Sequence, residues 1–203
     1  MADKPLSSIT YWNQFVRYSY EQGISIDQDK LTSTLAPFKN QDFIPFEDFK
    51  ELVSEIAHKS DKPWIGLHFS EKIQISSHGS LGFAVSHGID LNECLTLISR
   101  YYQTRLQAIK VSHEIQNNTY ILTINETCDL EPIKTLLYEV LLSSLLNVIE
   151  FVIGNKVEQC LATLPYKPPS WFEKYHELLP CPVSFDQASA SIQIPCSLLH
   201  IPS

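Results

Sequence analysis

Apolar side chains recur at helical spacing through the first hundred residues. Ser7 to Gln22 carries an aromatic stripe of Tyr11, Phe15 and Tyr18 beside Trp12, and Gly23 ends it. A short helix after Asp27 puts Leu31 and Leu35 inward and stops at Pro37. After Pro45, Phe46, Phe49, Leu52, Val53 and Ile56 share one face. Glu47 and Asp48 in the first turn and His58 and Lys59 in the last suit the helix dipole. Pro63 to Ile73 and Gly79 to Ser86 read as two further short helices or turns, with Gly82 allowing close packing. Asp90-x-x-Glu93 is a capping box for a helix through Leu106, with Leu91, Leu95, Ile98 and Tyr102 inward.

The period then changes from helical to alternating. Gln107 to Ile115 and Tyr120 to Asn125 are strand-like runs around Asn117-Asn118, a tight hairpin signal. A long helix runs from Pro132 to Ile153 and ends at Gly154. Gln159 to Leu164 is a third strand. Trp171 to Leu179 is a short amphipathic helix, and Pro182 to Phe185 and Ser191 to Ile194 are the last strand-like pieces. This order predicts an α+β fold: a helical N-terminal half plus a small, mainly antiparallel sheet packed by a long helix.

Composition narrows the function classes. The chain has 203 residues, 44% hydrophobic and 19% charged, enough for a substantial core and one domain. The apolar stretch Leu136 to Ile153 is interrupted by Glu139, Asn147 and Glu150, so it reads as a buried helix rather than a membrane span. The N-terminus, with Asp3 and Lys4, shows no signal peptide. A net charge of −8 with scattered lysines opposes binding to a phosphate backbone. The five cysteines, Cys94, Cys128, Cys160, Cys181 and Cys196, have no zinc spacing and fit reduced thiols in a cytoplasmic protein, a Cys181–Cys196 bridge being the alternative.

The richest motif run is Pro63-Trp64-Ile65-Gly66-Leu67, His78-Gly79-Ser80-Leu81-Gly82-Phe83-Ala84, Asp90-Leu91-Asn92-Glu93-Cys94-Leu95 and Ser99-Arg100-Tyr101-Tyr102. Further on come Pro168-Pro169 through Tyr175, then Cys181-Pro182-Val183-Ser184-Phe185 and Leu198 to Pro202. This order, over roughly 140 residues, resembles the N-terminal arabinose-binding-domain-like branch of the AraC-type transcription regulators. Each motif is short; the order carries the resemblance. It implies one regulatory domain over residues 1–203 that binds a small effector, forms a homodimer, or does both. It also implies that DNA is read by a helix-turn-helix module beyond residue 203. The effector itself does not carry over.

Trp64, Phe69, His78, Phe83, Tyr101, Tyr102 and Arg105 are the candidate ligand-binding residues. Aromatic walls with one cation as a bidentate anchor suit a small carboxylate or an amphipathic ligand. The competing reading is that the aromatics are core and Arg105 is a solvated helix end. On the long helix, Leu137, Leu141, Leu145, Val148 and Val152 form one apolar side and Leu142 and Ile149 another. A width of that kind suggests a dimer interface or a central helix of a monomer. His68, His78 and His87 raise a second possibility, a haem- or gas-binding sensor with one axial histidine, though turn or surface histidines serve as well. Gly79-Ser80-Leu81-Gly82 lacks the glycine two residues before the serine that a nucleophile elbow needs, and no serine or cysteine pairs with a base, which argues against a third reading as a small hydrolase. No catalytic residue, metal or cofactor is expected, and no membrane partner.

Overall fold

The computed structural model describes residues 4–202. In chain order the elements are β1 Leu6–Ser8, α1 Ile9–Glu21, α2 Gln28–Leu35, β2 Phe43–Pro45, α3 Phe46–Lys59, α4 Ile65–Ser70, α5 Ser80–Val85 and α6 Leu91–Tyr101. Then follow β3 Ile109–Gln116, β4 Thr119–Glu126, α7 Lys134–Ile153, β5 Leu161–Thr163, α8 Glu173–Leu178, β6 Val183–Ser184 and β7 Ala190–Pro195. The architecture is the α+β arrangement expected from the pattern.

Local chemistry sets most boundaries. The Asp27 carboxylate accepts from the Lys30 amide and starts α2. The Asp90 carboxylate accepts from the Glu93 amide, while Glu93 reaches back to the Ile89 amide rather than to that of Asp90. Helix α6 ends at Tyr101, short of the expected Leu106, because the chain tightens into a 3₁₀ turn over Tyr102–Thr104. Leu106 then bridges to Ser7. Asn117 and Asn118 both take positive φ, 48° and 63°, as the primed hairpin turn demands.

The main sheet has the order β3-β4-β7-β5-β6, antiparallel except for the β5–β6 pair. Tyr120, Leu122 and Ile124 of β4 and Ile192 and Ile194 of β7 are buried. Strands β1 and β2 form a separate two-stranded sheet that the sequence pattern did not reveal, since Leu6–Ser8 has no alternation of its own.

Helix α7 is the spine of the molecule, packed by α4, α6 and β7. By length and composition it could cross a membrane, but 72% of its apolar window is buried inside the chain, as a core helix requires. Gly66 of α4 explains the close α4–α7 approach. A Cβ there would lie 2.6 Å from both Glu139 Oε2 and the Leu136 carbonyl oxygen, so only glycine fits.

Burial corrects one expectation. Leu137, Leu141, Leu145, Val148 and Val152 are at most 7% exposed within a single chain. Elements of the same chain cover both broad faces of α7, so this side chain set is interior and not available to a second subunit.

Candidate functional site

A cavity lies between α1, α3, α4 and α7, where the short helices cannot fill the space beneath the spine. Its walls include Phe15, Phe49, Val53 and Phe69, with Leu136, Val140 and Leu141 from α7. The centre of a water molecule can occupy about 40 Å³ of it. One water needs roughly 10–15 Å³ by that measure, so the space takes a few waters or a small molecule. Polar groups gather at one end: Tyr11, His78, Tyr102 and Ser144.

Two neighbouring voids meet the cavity there. A smaller one, about 20 Å³, lies under α5 against Leu81, Gly82 and Val85. An open surface cleft of about 410 Å³ runs between Gln74, Ser76, Asn147 and Phe151. His78 and Ser144 border all three. They therefore stand between solvent and the interior, with the half-exposed Phe151 ring, 59% accessible, at the outer rim. Gly82 makes the packing of α5 on the preceding turn possible, as expected. A Cβ at that position would fall 1.9 Å from the Ile75 carbonyl oxygen.

The Tyr11 hydroxyl and His78 Nδ1 are 2.8 Å apart, and their rings meet edge-on. Burial, and then the nearby charge of Arg105, pushes the His78 imidazole down to about 4, so it is neutral at physiological pH. Burial raises the Tyr11 phenol to about 12, with Arg105 pulling against it. Tyr102 is held well above its usual range by burial. The polar end thus consists of neutral groups next to one fixed cation.

The structure brings Phe69, His78 and Tyr102 to this cavity, with Arg105 just behind it. The Arg105 guanidinium carbon is 5.7 Å from the Tyr11 ring centre, and Nη2 reaches Thr10 Oγ1 at only 3.4 Å. Arg105 is therefore not the direct bidentate anchor that the sequence suggested; Tyr11 stands between it and the space. The other three candidates lie elsewhere. Trp64 is covered by the Lys174 ammonium, 5.5 Å from its ring centre. Phe83 is 68% exposed and pairs with the His87 ring. Tyr101 is exposed at the end of α6, beneath Arg100. Sequence reasoning missed Ser144, whose signal was a hydroxyl inside an otherwise apolar helix face, and treated Tyr11 only as part of a stripe.

A second buried polar cluster was also missed. Glu139 is fully buried on α7, and its Oε1 accepts from Tyr175 Oη at 2.6 Å and Trp171 Nε1 at 2.9 Å. The Gly66 and Leu67 amides face the carboxylate without completing full hydrogen bonds to Oε2. Burial raises this carboxyl to about 7, against the lowering effect of those donors. In the sequence it was visible only as an interruption of an apolar run.

The histidines do not converge. His68 Nδ1 pairs with the Tyr18 hydroxyl at 2.5 Å, and His87 Nδ1 with the Phe83 carbonyl at 2.9 Å. Among the described residues, no three metal-ligating side chains come together, and all five cysteines are free thiols. The cavity beside His78 is far too small for a porphyrin, and nothing favours the haem- or gas-sensor alternative. Ser80 is exposed and has no basic partner among the described residues.

Comparison with known proteins fits this geometry. An ornithine utilization regulator of Pseudomonas aeruginosa is 23% identical over 159 residues, which cover 78% of this chain and 47% of that protein. The crystal structure of the transcriptional regulator CdpR from Pseudomonas aeruginosa superposes with a TM-score of 0.72 at 20% identity, over 95% of this chain and 57% of that one. At that identity the superposition speaks for the fold alone. The chain spans about half the length of each. The model for the arabinose-binding domain of AraC transcription regulators, N-terminal, matches residues 34–203. The chain belongs to the family of N-terminal arabinose-binding domains of AraC-type transcription regulators.

Proposed function

We propose that this chain is the regulatory, ligand-sensing part of a transcription regulator and that its effector occupies the cavity under α7. The observation that carries this reading is the solvent cleft that meets an internal, largely apolar cavity at His78 and Ser144. Concave apolar sites with a few convergent polar groups are where small molecules bind. A ligand there touches α1, the turn before α5, and α7 together. It favours whichever arrangement of those elements it fits best, and so shifts a population of conformers.

DNA contact belongs to a region outside these residues. With 23 acidic and 15 basic residues, this chain offers little to a phosphate backbone. A homodimer remains part of the proposal, but on a surface other than the interior face of α7. No turnover is expected.

Native mass spectrometry of the purified chain tests the reading. A defined small-molecule mass released on denaturation supports it. Bare protein that gains no mass from a library of cellular metabolites overturns it. Tight, sequence-specific binding of a DNA duplex by residues 1–203 would overturn the division of labour.

A further inference from the structure

We propose that the cavity selects a small monocarboxylic acid, with its apolar body between α3 and α7 and its carboxylate at the Tyr11–Tyr102 end, held in the field of Arg105. This inference rests on the ligand-sensing reading above and names the class of ligand.

Three observations carry it. The first is the polarity of the cavity. One end is lined by Phe49, Val53, Leu136 and Val140, and the other by the Tyr11 and Tyr102 side chains, His78 and Ser144. Such a space matches a molecule that is apolar at one end and accepts hydrogen bonds at the other. The Ser144 hydroxyl already donates to the Val140 carbonyl at 2.6 Å, and the Tyr11 hydroxyl is paired with His78 Nδ1 and Tyr102, so a ligand oxygen binds here by taking over the hydrogen bonds of the two tyrosine hydroxyls.

The second is the state of Arg105. Its Nε is buried with no acceptor, its hydrogen bond to Thr10 is long at 3.4 Å, and its other side-chain partner, the Tyr11 hydroxyl, is uncharged. It has no carboxylate within ion-pair distance among the described residues, although the chain has eight more acidic than basic groups. An uncompensated, half-buried guanidinium beside two tyrosines and a neutral histidine leaves a net positive pole at the end of the cavity. An anion placed against the tyrosine hydroxyls supplies the missing countercharge.

The third is what the lining lacks. It has no carboxylate, so a ligand with an ammonium at its apolar end, such as ornithine, would bury an unpaired charge. It has few polar partners, so a sugar would leave most of its hydroxyls unsatisfied. Among charged ligands, one carboxylate beside one fixed cation is the least costly choice.

Titration calorimetry with linear four- to six-carbon acids, the matching alcohols and the matching amines tests the inference. The acids are expected to bind at least about tenfold tighter than the alcohols, about 1.4 kcal/mol, and the amines not at all. Arg105→Gln is expected to bring the acids down to the affinity of the alcohols without weakening the alcohols. Tyr11→Phe provides a second variant, expected to lower acid affinity while Arg105 is intact. Alcohols that bind the native chain as well as the acids overturn the carboxylate class and leave the cavity reading standing. An Arg105→Gln variant that keeps the preference for acids also overturns the assignment. If neither acids nor alcohols bind, the inference fails together with the ligand-sensing reading of this cavity.

Discussion

The Tyr175 hydroxyl donates to Oε1 of Glu139 at 2.6 Å, in a place where the carboxylate has no exposure to solvent. This bond ties α8 to α7 across 36 residues, and Trp171 reinforces it on the same oxygen. A single buried acid therefore joins the spine helix, the Pro-rich segment that follows β5, and the N-terminal turn of α4.

That arrangement has a pH signature. The Glu139 carboxyl is raised to about 7 from an ordinary 4.5, so the folded chain holds a proton there that the unfolded chain releases earlier. The associated stability is present below pH 4.5 and is lost as pH rises to 7 and above. At about 1.4 kcal/mol per unit, the loss is at most about 3–4 kcal/mol. His78 acts in the opposite direction. Its pKa is lowered to about 4, so its contribution is lost as pH falls from 6.5 through 4. The native chain alone therefore shows a muted profile. Urea denaturation of the native chain and Glu139→Gln at pH 5 and pH 8 separates the two. The native chain is expected to lose stability relative to the variant as pH rises. A constant difference between them would refute the account of Glu139.

Gly82→Ala places a methyl group 1.9 Å from the Ile75 carbonyl oxygen, and backbone on both sides prevents easy relief. A loss of about 2 kcal/mol or more is expected, which is a melting-temperature fall of roughly 4–8 °C for a chain of this size. A melting curve for Gly82→Ala that superposes on that of the native chain would contradict the packing argument.

Leu141→Ala distinguishes an interior face from a dimer face. Leu141 is 2% exposed and lines the cavity within one chain. Its truncation is expected to cost about 2–5 kcal/mol, by the same amount at every protein concentration. A penalty that grows on concentrating the protein would place this residue between subunits.

Asp90→Ala removes the side-chain acceptor for the Glu93 amide and the contact with His200 near the end of the described chain. The lost helix cap is expected to cost about 1 kcal/mol. Hydrogen exchange should quicken in the first turn of α6 and in the paired residues Leu91 and Asn92, whose amides donate to Ile201 and Leu199. Unchanged protection there would show that the cap does not hold this junction.

Much of this fold is legible in the chain because its signals are local. The stripes of α1 and α3, the Asp90 cap, the Asn117-Asn118 turn and the apolar run of α7 each need only a few neighbouring residues to be read. What is not legible depends on distant partners. Strand β1 has meaning only when Phe43–Pro45 lies beside it. The wide apolar surface of α7 looks the same in sequence whether α4 and β7 cover it or a twin subunit does. The candidate site shows the same division. Phe69, His78 and Tyr102 could be picked out as aromatic neighbours in sequence, but Phe83 and Tyr101 share that composition and point outward. Ser144 and Glu139 look like interruptions until the fold shows what surrounds them.

Thermal melting of the native chain and of Ser144→Leu against a common library of small carboxylic acids tests the central claim most directly. The leucine side chain fills the point where the cleft and both internal voids meet. At least one acid is expected to raise the melting temperature of the native chain, and to leave that of the variant unchanged. Equal responses from the two proteins would contradict the claim that this cavity is where the chain senses its effector, and no response from the native chain to any acid would overturn the carboxylic-acid class.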